Sequence, residues 1–196
     1  KNEITHGNLK PSNVVLNSRY EPFVMDFFNS HLDAKDPTSV AFIAPEILNY
    51  DLQKMEATKT STLKKSAGKD LQSTTKSEVK FSKYTKEADV YSFGMVAFSI
   101  LTSLAPFAIE SLQPTVIIKK IISGSRPAIP SYIPTNYAQL IERCWSNEPS
   151  SRPTIKEVVD FISESRPLPE TNIQHFSDYM KKVRPNFVLP QLVQIQ

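Results

Sequence analysis

Between Val90 and Ile109 the chain runs for 20 residues without a charged side chain. Such a stretch has two physical destinations, the middle of a folded domain or the interior of a bilayer, since only there is every face of a helix shielded from water. Val90, Tyr91, Phe93, Met95, Val96, Phe98, Ile100 and Leu101 place apolar groups on nearly every side of a helix predicted over 88–104. Ser92, Ser99, Thr102, Ser103, Gly94 and Pro106 interrupt the apolar character, and no flanking cluster of Lys or Arg fixes an orientation across a membrane. The expectation is a central buried helix, with a membrane anchor over 90–109 as the lesser alternative.

The remaining sequence must supply what packs around that helix, and 196 residues that are 40% hydrophobic suffice for one substantial core. Asn13–Leu16 and Phe23–Asp26 are short β-prone runs separated by polar residues, the pattern of a hairpin with a longer loop. From Phe27 to Pro45 no period holds, and an ordered but irregular loop is expected. Residues 52–82 are rich in Lys, Ser and Thr with one aromatic, Phe81, too little apolar area to offset ordering entropy. They read as a disordered insertion spanning 51–82. Further helices are predicted around Val116–Ile122, over Asn136–Trp145 with Leu140, Ile141 and Cys144 on one face, and after Pro153. In the last, Thr154 and Glu157 form a capping-box pair, and Ile155, Val158, Val159 and Ile162 repeat at i, i+3, i+4 and i+7. The organisation expected is one domain over 1–166, followed by a proline-broken tail over 167–196 in which Ile173, Phe176, Met180 and Val183 could build a short amphipathic helix.

Charge narrows the partners. Of the net +3, the insertion alone supplies seven lysines against Asp51, Glu56, Asp70 and Glu78, leaving 16 basic and 16 acidic residues elsewhere. No basic face is expected on the folded part, which argues against nucleic acid. A lone Cys144 excludes an internal disulfide, and no signal-peptide pattern opens the chain, so an intracellular, cytoplasmic setting is expected. The first residue is Lys1 rather than Met, which reads as a piece of a longer product.

Five motifs stand in a fixed order: "HGNLKPSN" from His6, "DFF" from Asp26, "APE" from Ala44, "ADVYSFGMVAFSILT" from Ala88 and "CWSNEPSSRPT" from Cys144. Together, over Thr5 to Thr154, they resemble the C-terminal lobe of the eukaryotic protein kinase fold, with the catalytic loop H-R-D-L-K-P-x-N, the D-F-G triplet and the A-P-E triplet in sequence. The implied fold class is α+β, mostly α: a helical lobe with a short β-hairpin and activation segment, the N-terminal lobe being absent from this sequence. Lys10 in "LKPSN" is typical of the serine/threonine or tyrosine kinase-like branch.

The resemblance also implies roles, residue by residue. Asn13 and Asp26 match the metal-holding positions, with oxygen atoms suited to Mg²⁺. Lys10 matches the lysine on the transferred phosphate of ATP, and Ser39 keeps the hydroxyl of the Thr-x-x-Tyr-x-Ala-Pro-Glu pattern, in which Phe42 replaces the tyrosine. Glu46 and Arg152 match a buried ion pair, Asp89 the residue orienting the catalytic-loop backbone, and His6 a packed support of that loop. His31 and His175 lack partners at ligand spacing and read as surface residues, and Cys144 reads as core.

Departures from the pattern are equally specific. Asn8 occupies the catalytic aspartate position, and a carboxamide cannot hold a transferred proton near neutral pH. Positioned acid–base groups contribute about 10² to 10⁴ in rate. Gly7 replaces the arginine that pairs with a phosphorylated activation loop, so phosphate at Thr38 or Ser39 lacks that receptor. Phe28 replaces the glycine of D-F-G, and no glycine-rich phosphate loop or lysine-bearing strand precedes Thr5. Two readings stay open: a catalytically impaired pseudokinase that binds or scaffolds signalling proteins, and an active serine/threonine kinase, using ATP and Mg²⁺, of which this is a fragment.

Overall fold

The computed structural model describes residues 4–18, 21–27, 37–54, 84–108 and 113–164. His31, Phe28, His175, the tail and most of the insertion lie outside these residues, as does the side chain of Thr38.

A 3₁₀ turn at Pro11–Asn13 leads into β1 (Val14–Leu16), which pairs antiparallel with β2 (Pro22–Val24) in the register Val14 to Val24 and Leu16 to Pro22. Six α-helical segments follow among the described residues: α1 (Pro37–Val40), α2 (45–54), α3 (Lys86–Thr102), α4 (Pro114–Ile122), α5 (Thr135–Cys144) and α6 (Ile155–Glu164). This is the helix-rich α+β architecture the motif order implies.

Helix α3 is the axis of the fold. One side packs into a cluster with Val40, Ala41 and Leu48 from the α1–α2 region and Ile117, Ile118 and Ile121 from α4. The other side, at Val90, packs with Leu140 and Cys144 of α5 and Val158 of α6. Being covered on both sides beyond its first turn, α3 needs apolar groups on most of its faces there, which explains the uncharged run that follows Asp89, although Ile100 near its end is exposed. Its Ser92 hydroxyl lies 2.7 Å from the Phe42 carbonyl and 3.0 Å from that of Ala88, so this buried polar group is satisfied within the domain. The helix stops at Thr102, where Ser103 turns left-handed at φ 57° and the Thr102 hydroxyl donates to the Phe98 carbonyl at 2.7 Å. The 20-residue uncharged run is thus a helix plus a turn, and among the described residues no helix is long and apolar enough to cross a membrane.

Helices α3 and α5 touch at Gly94. A Cβ there would sit 2.8 Å from the Cβ of Cys144, closer than side chains tolerate, so the absence of a side chain sets the crossing.

Three expectations shift. The 27–45 segment contains a helical turn, α1, before the Ala44-Pro45-Glu46 triplet opens α2. Helix α2 continues through residue 54 and packs Leu52 against the core, so 51–54 are helical, and the rest of the expected 51–82 insertion lies outside the described residues. In α6 the capping box forms, Thr154 N donating to Glu157 at 2.7 Å and Glu157 N to the Thr154 hydroxyl at 3.2 Å. Of its i, i+3, i+4, i+7 set, however, only Val158 is buried; Phe161 is the second contact, while Ile155, Val159 and Ile162 are exposed. An apolar stripe wider than one neighbour can cover leaves its remainder in solvent.

Candidate catalytic loop

The first turn of α3 carries the device that holds the loop. Thr85 caps the helix by accepting from Ala88 N at 3.3 Å, and Glu87 and Asp89 place negative charge at the positive end of the helix dipole. The Asp89 carboxylate in turn accepts from the backbone N–H of His6 at 2.6 Å and of Gly7 at 2.8 Å. Two charge-assisted bonds across more than 80 positions of sequence fix the loop to the central helix.

His6 is buried beneath it. Its Nδ1 accepts from Asn8 N at 3.1 Å, which leaves the proton on Nε2, 3.1 Å from the Met25 carbonyl that accepts it. The ring also stacks at 4.4 Å on Phe27, next to Asp26. With both nitrogens engaged, the imidazole braces the loop against the strand-end segment.

On this support Asn8, Asn13 and Asp26 come together. Asn13, 4% exposed, donates through Nδ2 to the Asn8 carbonyl at 2.7 Å and accepts Met25 N on its own carbonyl at 2.9 Å. The Asn8 carboxamide donates through Nδ2 to the Asp26 carbonyl at 3.3 Å. Asp26 sits in the left-handed region at φ 62°, a conformation that Asp tolerates better than most side chains. Lys10 reaches across to the activation segment, its Nζ donating to the Ser39 hydroxyl at 2.9 Å.

For the family's Mg²⁺, the donors fit in kind. Committing Nδ2 of Asn13 to Asn8 leaves Oδ1 as the acceptor end, and Asp26 adds an exposed carboxylate; both are hard oxygens. Two protein oxygens are few, as for a site that phosphate and water complete. Among the described residues no cluster of three His, Cys, Asp or Glu could hold a metal by itself.

Glu46 and Arg152 meet in a bidentate pair, both bonds 2.8 Å. Arg152 also donates to the carbonyls of Ser146 and Glu87, each at 2.9 Å, joining α2, α3 and the turn before α6. Its guanidinium lies 5.2 Å from the ring centre of Tyr91, and that of Arg126 lies 5.1 Å from the same ring. Burial drives the Tyr91 hydroxyl far above its ordinary pKa, and that hydroxyl has no hydrogen-bond partner among the described residues. Burial likewise pushes the Cys144 thiol up to about 12, so it stays protonated and inert.

Sequence reasoning missed Arg126 and Tyr84. Arg126 donates to the carbonyls of Trp145 at 2.8 Å and Ile121 at 3.0 Å, capping two helix ends at once, and desolvation lowers its pKa. Its only signal is an Arg–Pro dipeptide like that of Arg152, which recurs at 166 and 184 and is unspecific. Tyr84 underlies Gly7: that glycine stands at φ 72°, and a Cβ on it would approach the Tyr84 ring to 3.3 Å. Nothing in the sequence spacing announces this contact.

A helical lobe organised around a charge-clamped loop, with two oxygen donors and an ammonium gathered at its rim, defines a protein of the kinase-fold class. The sequence profile of the family described as protein tyrosine and serine/threonine kinase matches residues 1–162. The chain belongs to that family. It is 36% identical over 109 residues, 52% of this chain, to "Cyclic GMP-binding protein C" of Dictyostelium discoideum. To "Probable serine/threonine-protein kinase drkD" of the same organism it is 27% identical over 186 residues, 85% of this chain. To "Dual specificity protein kinase shkC", again from that organism, it is 37% identical over 86 residues, 42% of this chain. The matched parts span 4%, 12% and 16% of those relatives' own lengths, so the chain corresponds to a small portion of each.

Proposed function

We propose that this chain is a catalytically impaired kinase-fold module that binds or scaffolds other proteins in intracellular signalling. The observation that carries this reading is Asn8. At the place where a carboxylate would receive the substrate hydroxyl proton, it offers a carboxamide whose N–H₂ is turned onto the Asp26 carbonyl at 3.3 Å. Such a group orients a hydroxyl by hydrogen bonding but stores no proton, which forfeits about 10² to 10⁴ in rate.

The surrounding groups support residual nucleotide handling. A bound Mg²⁺ would supply charge neutralisation to phosphate oxygens. Asn13 and Asp26 are the residues that would hold it, and Lys10, now on Ser39, is the ammonium available to a phosphate. These groups favour the second reading, an active serine/threonine kinase, and they are compatible with nucleotide binding that serves conformation rather than turnover.

The test is phosphoryl transfer by the full gene product containing this chain, with Mg²⁺-ATP and a generic protein substrate. The expected result is transfer at least about 10²-fold below an ordinary kinase, whose turnover is about 1 to 100 s⁻¹. Turnover within that range by the protein with Asn8 in place overturns the proposal.

A further inference from the structure

Lys10 leaves the catalytic loop to meet the activation segment, and the meeting point is a hydroxyl. Its Nζ donates to Ser39 Oγ at 2.9 Å, both residues being half-buried. Ser39 lies in α1, a single four-residue turn, and its carbonyl accepts from Phe42 N at 3.2 Å. Directly after it Val40 and Ala41 are fully buried in the core cluster, so the backbone is anchored on that side. A helix this short has almost no stability of its own, because nucleating a turn costs more than one hydrogen bond returns. The hydroxyl is therefore held beside an ammonium, on an element that opens cheaply to a modifying enzyme.

An ammonium has three donors, and one of them is committed to Ser39. Attached to Oγ, a phosphate brings a charge of about −1.5 to −2 and three strong acceptor oxygens, one bond beyond the atom that Lys10 already touches. Exchanging a neutral acceptor for a charged one roughly doubles the strength of such a bond. Residue 7, where the family pattern places an arginine for this purpose, is a glycine at φ 72° with no side chain to offer. A phosphate on Ser39 thus finds its cation in Lys10.

We propose that Ser39 is a phosphorylation site whose phosphate pairs with Lys10 and withdraws that ammonium from nucleotide. A separate protein kinase using a nucleoside triphosphate supplies the group. A bond forms between Ser39 Oγ and the γ-phosphorus, the bond from that phosphorus to the bridging oxygen breaks, the nucleoside diphosphate leaves, and the serine proton passes to that enzyme's base. The consequence for nucleotide rests on the role proposed above for Lys10, whereas the pairing itself does not. Because the phosphate is tethered, it competes for Lys10 at an effective concentration on the order of millimolar, and modification closes the site.

Phosphoserine genetically encoded at position 39 of the full gene product separates the two claims. In a peptide of residues 36–43, which contains no cationic side chain, the second ionisation of the phosphate falls at about pH 6. In the folded protein Lys10 favours the dianion, so the ³¹P titration midpoint is expected at least about one unit lower. Lys10→Arg should keep that shift and Lys10→Met should abolish it. A midpoint at the peptide's value, or a shift that survives Lys10→Met, overturns the pairing. Calorimetry with Mg²⁺-ATP reads the consequence: the phosphoserine protein should bind at least about tenfold more weakly than the unmodified one, and equal affinities overturn the switch. No binding by the unmodified protein counts against the nucleotide role of Lys10 instead, and the ³¹P midpoint then decides the pairing alone. Phosphopeptide mapping of the gene product from cells that express it naturally should find phosphate on Ser39, and phosphate confined to Thr38 or absent from the segment overturns the assignment of the site.

Discussion

Replacing Arg152 by Met tests how the lobe is held together. The substitution keeps the length of the side chain and removes four hydrogen bonds at once, two to Glu46 and one each to Ser146 and Glu87. Bonds to charged groups contribute about 1.5 to 3 kcal/mol each, and the two to Glu46 are of that kind. That sum overstates the loss, because the Glu46 side chain is 28% exposed and recovers some hydration once abandoned. The outcome expected is the usual cost of breaking a buried pair, about 3 to 5 kcal/mol, with the lower end favoured by that exposure. Against a total stability of about 5 to 15 kcal/mol, this is a large fraction. The Arg152 side chain, by contrast, is fully buried, so Glu46→Ala strands a charge that water cannot reach and should also cost several kcal/mol. Urea unfolding of the full chain, with the slope held common, measures both variants and the double one. At a slope of about 2 kcal/mol per molar, Arg152→Met should lower the midpoint by roughly 2 M. The double variant should cost clearly less than the two singles together. A midpoint for Arg152→Met within about 0.3 M of wild type, or strict additivity in the cycle, would refute the claim that this pair ties α2 to the late helices.

The remaining predictions come from contacts of different kinds. Gly94→Ala forces a Cβ to 2.8 Å from that of Cys144 and should destabilise the chain by about 1 to 3 kcal/mol in the same unfolding assay, and Cys144→Ala should not rescue it because the offending Cβ remains. Tyr91→Phe removes a buried hydroxyl that makes no hydrogen bond among the described residues, and should leave stability unchanged or raise it by about 1 kcal/mol, whereas a loss above that size would reveal a partner for the hydroxyl. The Glu157 carboxyl is held below its ordinary 4.5 by the backbone N–H and then the hydroxyl of Thr154. Its capping contribution is therefore complete above that value and lost as pH falls through the lowered one, so the protection of the first-turn amides of α6, taken relative to their unstructured exchange rates, should fall on acidification below 4.5, and Glu157→Gln should flatten that dependence.

What the sequence made legible follows from how local each signal is. The centrality of α3 could be read from the uncharged run after Asp89, since a helix covered on two sides has little room for charge and turns its few hydroxyls back onto its own carbonyls. The start of α6 could be read because a capping box is written within four residues. Which part of α6 is buried could not, because Val158 and Phe161 are chosen by the shapes of α5 and α3 while Ile155 and Val159 carry the same apolar letters. The clamp from Asp89 onto His6 and Gly7 spans the whole lobe and was legible only through resemblance. Arg126 has no such help: its partners are backbone carbonyls, which every sequence possesses.

The loop's departures from the family pattern are better understood as one backbone state than as separate changes. Gly7 is at φ 72°, where any side chain is strained, and the space a Cβ would enter is bounded by Tyr84 at 3.3 Å. One residue on, Asn8 donates to the carbonyl of Asp26, a residue that is itself left-handed at φ 62°. An aspartate at position 8 has the same outline but no N–H to give, so its carboxylate would face that carbonyl oxygen as a second acceptor and push the Asp26 segment away. Asn8→Asp alone would therefore supply the carboxylate while disturbing Asp26, the residue proposed to hold Mg²⁺. Gly7→Arg alone imposes strain of about 1 to 3 kcal/mol on the very turn that Asp89 clamps. On the proposed reading of an impaired module, gaining phosphoryl transfer requires moving the 6–8 and 25–27 segments together, so Asn8→Asp alone should raise transfer little in the same Mg²⁺-ATP assay; an increase of about 10²-fold would refute this coupling.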